Sequence, residues 1–186
     1  MKILGFIAIS FYFFYAGYSY SKGSLSNALW ICHIGCFLVG LGLLASINIL
    51  SSIGFLLLSV GNVGWALYLL AGGELILPSI LTHVGGFLIG LFVVYKNGIE
   101  AYTYLYSLIA FILLQILSRL STDAKENVNL AFQIQEGWEK IFPSYPIYLL
   151  VIYLLLFFGF FGIEFLIQKL KSQTRIEETK FNSEPQ

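Results

Sequence analysis

Six apolar stretches follow one another along the chain, at 3–20, 27–44, 53–70, 76–95, 100–118 and 147–170. The first four contain no Asp, Glu, Lys or Arg; the fifth opens on Glu100, and the sixth carries Glu164 and Lys169 near its end. A helix rises 1.5 Å per residue, so about 20 apolar residues cross the hydrocarbon core of a bilayer. Each stretch is close to that length, and the fold class expected is an all-α integral membrane protein with six transmembrane helices in one bundle. Composition agrees: 11% of residues are charged, against about 25% in soluble domains. The formal net charge is zero, so no basic field exists to hold nucleic acid. The partner expected is the lipid bilayer, with a membrane protein or a second copy of the chain beside it.

The links are short except one. The first stretch could be read as a signal peptide, but Ala16-Gly17-Tyr18 is a poor cleavage site and the run is long and aromatic, so a retained span is expected. Pro78 falls in the first turn of the fourth span, where proline costs a helix little. The long link, 120–146, begins with Asp123-x-x-Glu126, which reads as a helix start. Leu130, Ile134, Trp138, Ile141 and Phe142 then recur at three- and four-residue steps, opposite Gln133, Gln135, Glu136, Glu139 and Lys140. That spacing predicts an amphipathic helix lying in the membrane interface, anchored by Trp138 and ended by Pro143 and Pro146. Glu164 is expected to snorkel to the surface, and the polar segment 171–186 to be a disordered cytoplasmic tail.

Six spans place both termini on one side, together with Lys2, Lys96, Lys169, Lys171, Arg175 and Lys180. Lys22, Arg119, Lys125 and Lys140 fall on the other. Positive charge is retained in the cytoplasm, so a plasma (inner) membrane protein with both termini inside is expected.

The two histidines, His33 and His83, each open a nine-residue phrase. His33-Ile34-Gly35-Cys36-Phe37-Leu38-Val39-Gly40-Leu41 returns fifty residues later as His83-Val84-Gly85-Gly86-Phe87-Leu88-Ile89-Gly90-Leu91, identical at six positions of nine. Ala16 and Tyr18 align with Ala66 and Tyr68 at the same offset, a pattern that hints at duplication of spans one and two as spans three and four. Both histidine spans run from outside to inside, which puts both imidazoles about 10 Å below the outer boundary. Asn62, on the antiparallel third span, falls about one turn deeper. Gly40 and Gly90 share the histidine faces and let helices approach closely. An ionisable side chain at that depth is a functional candidate. The candidate binding residues are His33, His83, Asn62 and Cys36, with Asp123, Glu126, Asn127 and Asn129 of the long link as a cap above them.

Two imidazoles on separate helices at one depth suit a haem. A transition metal held by His33 and His83 is the other cofactor reading, with Cys36, one turn from His33, as a third donor. Cys32 and Cys36 lie in one run, which is neither a disulfide framework nor a zinc-finger spacing. Gly85-Gly86-Phe87-Leu88-Ile89-Gly90 after His83 resembles the final-helix histidine-and-glycine phrase of rhomboid intramembrane proteases. Gly61-Asn62-Val63-Gly64 is similar to their Gly-x-Ser-Gly phrase. The resemblance implies a serine nucleophile, but Asn62 stands in its place, on a helix antiparallel to both histidine helices where the family's three are parallel, so proteolysis is set aside. Six spans in 186 residues is also the size of small substrate-capture subunits of vitamin uptake systems, and a small-molecule carrier is the alternative. A membrane scaffold, with the histidines as glue between helices, is the third.

Overall fold

In a computed structural model, the backbone of residues 1–183 and the side chains of residues 1–173 are described. Among the described residues there are helices and turns and no strand. The long helices are α1 (Lys2–Ser21), α2 (Ile31–Ala45), α3 (Asn48–Leu70), α4 (Leu77–Asn97), α5 (Thr103–Ser121) and α6 (Tyr145–Ser183). Five of them are long and apolar enough to cross a membrane; α2 is shorter. A 3₁₀ turn, Leu25–Leu29, precedes α2, and Trp30 separates the two with extended backbone, φ −56° and ψ 140°.

Helices α1 to α4 form one group, in which α2 and α3 make the most extensive pair, and α5 and α6 pack on each other and against α3. Ser46, in the left-handed region at φ 60°, ends α2, and α3 begins two residues later. The link expected over 45–52 is therefore a tight turn, and α2 and α3 are an antiparallel hairpin. Their backbones touch at glycines: a Cβ added to Gly35 would lie 2.8 Å from the Gly54 carbonyl oxygen. Gly40 meets Gly5 of α1 in the same manner, at 2.8 Å. Lipid offers helices no hydrophobic force for association, so such close approach is what holds the group together.

The link 120–146 corrects the expectation of an interfacial helix. It forms two 3₁₀ turns, Ala124–Glu126 and Val128–Leu130, followed by turns and bends. Asn127, Asn129 and Leu130 have φ of 45°, 54° and 59°, and Gly137 has φ 86°; a right-handed helix cannot continue through them. Asn127 replaces the helical hydrogen bonds locally. Its Oδ1 accepts from the backbone N–H of Phe132 (3.1 Å) and Gln133 (3.2 Å), and its Nδ2 donates to the Gln133 carbonyl (3.1 Å). The residues of the expected apolar face share no buried side: Leu130, Ile134 and Phe142 are half-buried and Trp138 and Ile141 exposed, while Val128 and Ala131 are buried and Phe142 meets Tyr148 edge-on at 5.0 Å between centroids.

Glu164 does not snorkel. It is 5% exposed and accepts from the backbone N–H of Tyr102 (3.0 Å) and Tyr104 (2.7 Å) and from Gln168 Nε2 (3.2 Å). Those two amides begin α5, so the carboxylate satisfies orphan donors at a helix N-terminus, where the macrodipole also favours negative charge. In the segment expected as a tail, α6 runs on as helix to Ser183; residues 184–186 lie outside the described residues.

Candidate functional site

His33 is the third residue of α2 and is 3% exposed; His83, on α4, is 2% exposed. Around His83 the helix widens into a π turn, Leu81–Gly85. The local cause is competition for carbonyls. Thr82 Oγ1 lies 3.2 Å from the Pro78 carbonyl and 3.0 Å from that of Ser79, and His83 Nδ1 lies 2.8 Å from the same Ser79 oxygen. Side chains that bond back to the preceding turn draw carbonyls from the helical ladder, and single π turns in α-helices cluster at functional sites.

One of these bonds settles the tautomer of His83. A carbonyl only accepts, so His83 Nδ1 carries the hydrogen directed at Ser79 O. The Thr82 hydroxyl is placed among both carbonyls and both rings. Its oxygen hydrogen-bonds His33 Nδ1, 3.0 Å away. His83 is therefore an Nδ1–H imidazole with a lone pair on Nε2, the arrangement in which a second-shell acceptor orients a histidine for a metal.

The two rings meet edge to face with centroids 5.0 Å apart. Tyr15 of α1 stacks on His33 at 3.5 Å, and Trp65 of α3 stacks on His83 at 4.4 Å. Cys32, His33 and His83 each present a donor atom, all within 4.8 Å of one another, and all three residues are buried. This is the one group of three or more potential metal-binding side chains among the described residues.

The structure brings His33 and His83 together and places the other expected residues differently. Cys36 turns away: its Sγ donates to the Ala8 carbonyl at 3.3 Å, and Gly86 lies against it. The thiol beside the histidines is that of Cys32. Asn62 reaches His83 through the backbone, donating from Nδ2 to the His83 carbonyl at 3.1 Å; its buried Oδ1 and the buried Trp65 Nε1 have no hydrogen-bond partner. Of the expected cap, Asp123 is exposed and pairs with Lys125 at 3.6 Å, and Glu126 is half-buried. Asn127 folds the loop, and Asn129 fastens it to the bundle beside the start of α2.

Sequence reading missed Cys32, Ser79, Thr82, Tyr15 and Trp65. Adjacent helical residues point about 100° apart, so Cys32 was passed over for Cys36, which shares the His33 face. The Cys32-His33 and Thr82-His83 dipeptides were the available signals.

A haem does not fit. With metal–nitrogen bonds of about 2.0 Å on opposite faces of a porphyrin, the ring centroids would stand about 6 Å apart with the macrocycle between them. Here the rings are in mutual contact at 5.0 Å, with Tyr15 and Trp65 packed on their faces. A single small ion does suit the donor set. Three donors at about 2.0–2.3 Å from a shared centre stand about 3.5–3.8 Å apart, so a group spread over at most 4.8 Å would close by about 1 Å or less at its widest pair through side-chain rotation. No protein-family model matches the chain, and neither a characterised protein nor a solved structure does.

Proposed function

We propose that the chain crosses the membrane six times and holds one transition-metal ion between Cys32, His33 and His83 in the outer half of its bundle. The observation that carries this reading is the cluster itself: one thiol and two imidazoles offer donor atoms within 4.8 Å of one another, inside an aromatic shell.

The membrane reading is supported at the short helix as well. Fifteen residues of α2 give about 22 Å of α-helix. The five-residue 3₁₀ turn before it adds about 10 Å, enough together for a bilayer core of about 30 Å. The basic residues at the end of α6 favour both termini in the cytoplasm. A C-terminal reporter is expected to be active only on the cytoplasmic side; activity confined to the outside would invert the topology and put the histidines in the inner half.

The metal is tested on protein purified in detergent. Elemental analysis is expected to find an ion equimolar with the wild-type chain and none in His33→Ala or His83→Ala. If the wild type carries no metal and takes up none, while both variants lose thermal stability, the imidazoles serve only to hold α2 against α4.

A further inference from the structure

We propose that the ion is monovalent copper, an inference that rests on the metal-site reading above and deepens it. Charge is the first argument. The site offers one anionic donor, the Cys32 thiolate, whose proton passes to solvent as the metal enters, and two neutral imidazoles. A monovalent ion makes the filled site neutral. A divalent ion leaves it with a full positive charge, and no carboxylate belongs to the cluster. Tyr15 does not supply the missing anion: it meets His33 with its ring face, and its hydroxyl bonds to Ser19. An uncompensated charge at membrane depth is expensive.

Coordination number is the second argument. Structural zinc takes four ligands, and catalytic zinc completes its set with water. The three donors here are enclosed by Tyr15 and Trp65, and the nearest hydroxyl, Thr82 Oγ1, is engaged by His33 and the preceding turn. Cys36, the other thiol in reach of sequence, is held by the Ala8 carbonyl. A filled-shell monovalent copper ion is content with three ligands in a plane. Thiolate is also the soft donor it selects, and imidazole suits it too.

The test needs no variant to begin. Full-length protein in detergent is loaded anaerobically with Cu(I) in the presence of a colorimetric Cu(I) chelator, and in parallel with Zn(II) and a zinc chelator. Cu(I) is expected to bind equimolar with the chain and on the order of a hundredfold or more tighter than Zn(II), the ratio that corresponds to one charge left unpaired in a bilayer. X-ray absorption should report three-coordinate copper with one sulfur and two nitrogens. Cys32→Ser should lose the copper and Cys36→Ser should keep it. Tighter retention of zinc than of copper, or copper binding indifferent to Cys32→Ser, overturns the assignment to monovalent copper while leaving a metal site standing. Retention of neither metal by the folded wild type overturns both.

Discussion

Asn129→Ala is expected to lower the stability of the bundle by about 4 kcal/mol and to free the segment between α5 and α6. Asn129 is 1% exposed although it sits in a link. Its Oδ1 accepts from the Ile31 N–H at 2.9 Å, the first amide of α2, which has no partner within its own helix. Its Nδ2 donates to the Leu29 carbonyl (2.8 Å) and to Ser118 Oγ of α5 (3.0 Å). Alanine would leave these groups buried and unpaired, at roughly 1–3 kcal/mol each where they cannot relax. It would also carry a Cβ into the left-handed region at φ 54°, which asparagine tolerates and alanine resists by about 1 kcal/mol. The surrounding bonds deepen the effect. Gln115 Nε2 donates to the carbonyls of Asn129 (3.1 Å) and Leu130 (3.2 Å), Tyr145 donates to the Leu130 carbonyl (2.8 Å), and Tyr153 hydrogen-bonds Gln115 Oε1. The Asn129 side chain thus ties the link to the start of α2 and to α5, and the bonds of Gln115, Tyr145 and Tyr153 around it bring in α6. The measurement is thermal unfolding in detergent beside limited proteolysis, where cleavage should appear within 131–144. Because Ile31 lies two residues before His33, bound metal should weaken in the same variant. An unchanged melting temperature with an uncut link would show that Asn129 is a passenger.

The contrast between that link and the long helices shows what a sequence of this kind discloses. Uncharged runs such as 53–70 and 76–95 have little choice, because backbone groups in lipid must bond internally and a helix does so without outside help. The stretch 27–44 was legible as apolar but not as a 3₁₀ turn, a break at Trp30 and a short helix, since hydropathy carries no backbone angle. The link 120–146 misled for a related reason. Apolar residues at three- and four-residue steps imply one buried face, yet in the folded loop Leu130, Ile134 and Phe142 are half-buried and Trp138 and Ile141 exposed, so the spacing marks no common face. The decisive signals were Asn127 and Asn129, which tolerate positive φ and supply their own hydrogen bonds. Glu164 was misjudged because its partners, the amides of Tyr102 and Tyr104, are about sixty residues away, and nothing local announces a carboxylate that caps another helix. At the candidate site the repeated phrase brought both imidazoles into view. The identity of the thiol depended on side-chain direction in the first turn of α2, where only coordinates separate Cys32 from Cys36.

Gly54→Val is expected to have the larger effect, loss of the assembled bundle rather than a shift in its melting. Any Cβ at Gly54 would stand 2.6 Å from the Val39 amide nitrogen and 3.0 Å from Leu38 Cβ. The reciprocal position is as tight: a Cβ on Gly35 would meet the Leu58 amide nitrogen at 2.9 Å. The obstacles are mainly backbone, so no rotamer change relieves them, and α2 must move off α3. Small overpacking in a core costs about 1–3 kcal/mol; two branched methyls against a neighbouring main chain go beyond that. The separation would also act on the candidate site, because Gly35 follows His33 by two residues, about 3 Å along the helix. Gly54→Ala, carrying one carbon, should give a folded but destabilised protein with weakened metal binding. Gly64 on the same helix supplies the control. A Cβ there meets nothing within 4 Å, so Gly64→Ala should leave the bundle intact and raise its stability by up to about 1 kcal/mol through helix propensity alone. The readouts are yield of monodisperse protein in detergent and thermal unfolding across the three variants. If Gly54→Val behaves like Gly64→Ala, then α2 and α3 are not held at backbone contact, and the position of His33 against His83 depends on something other than this glycine crossing.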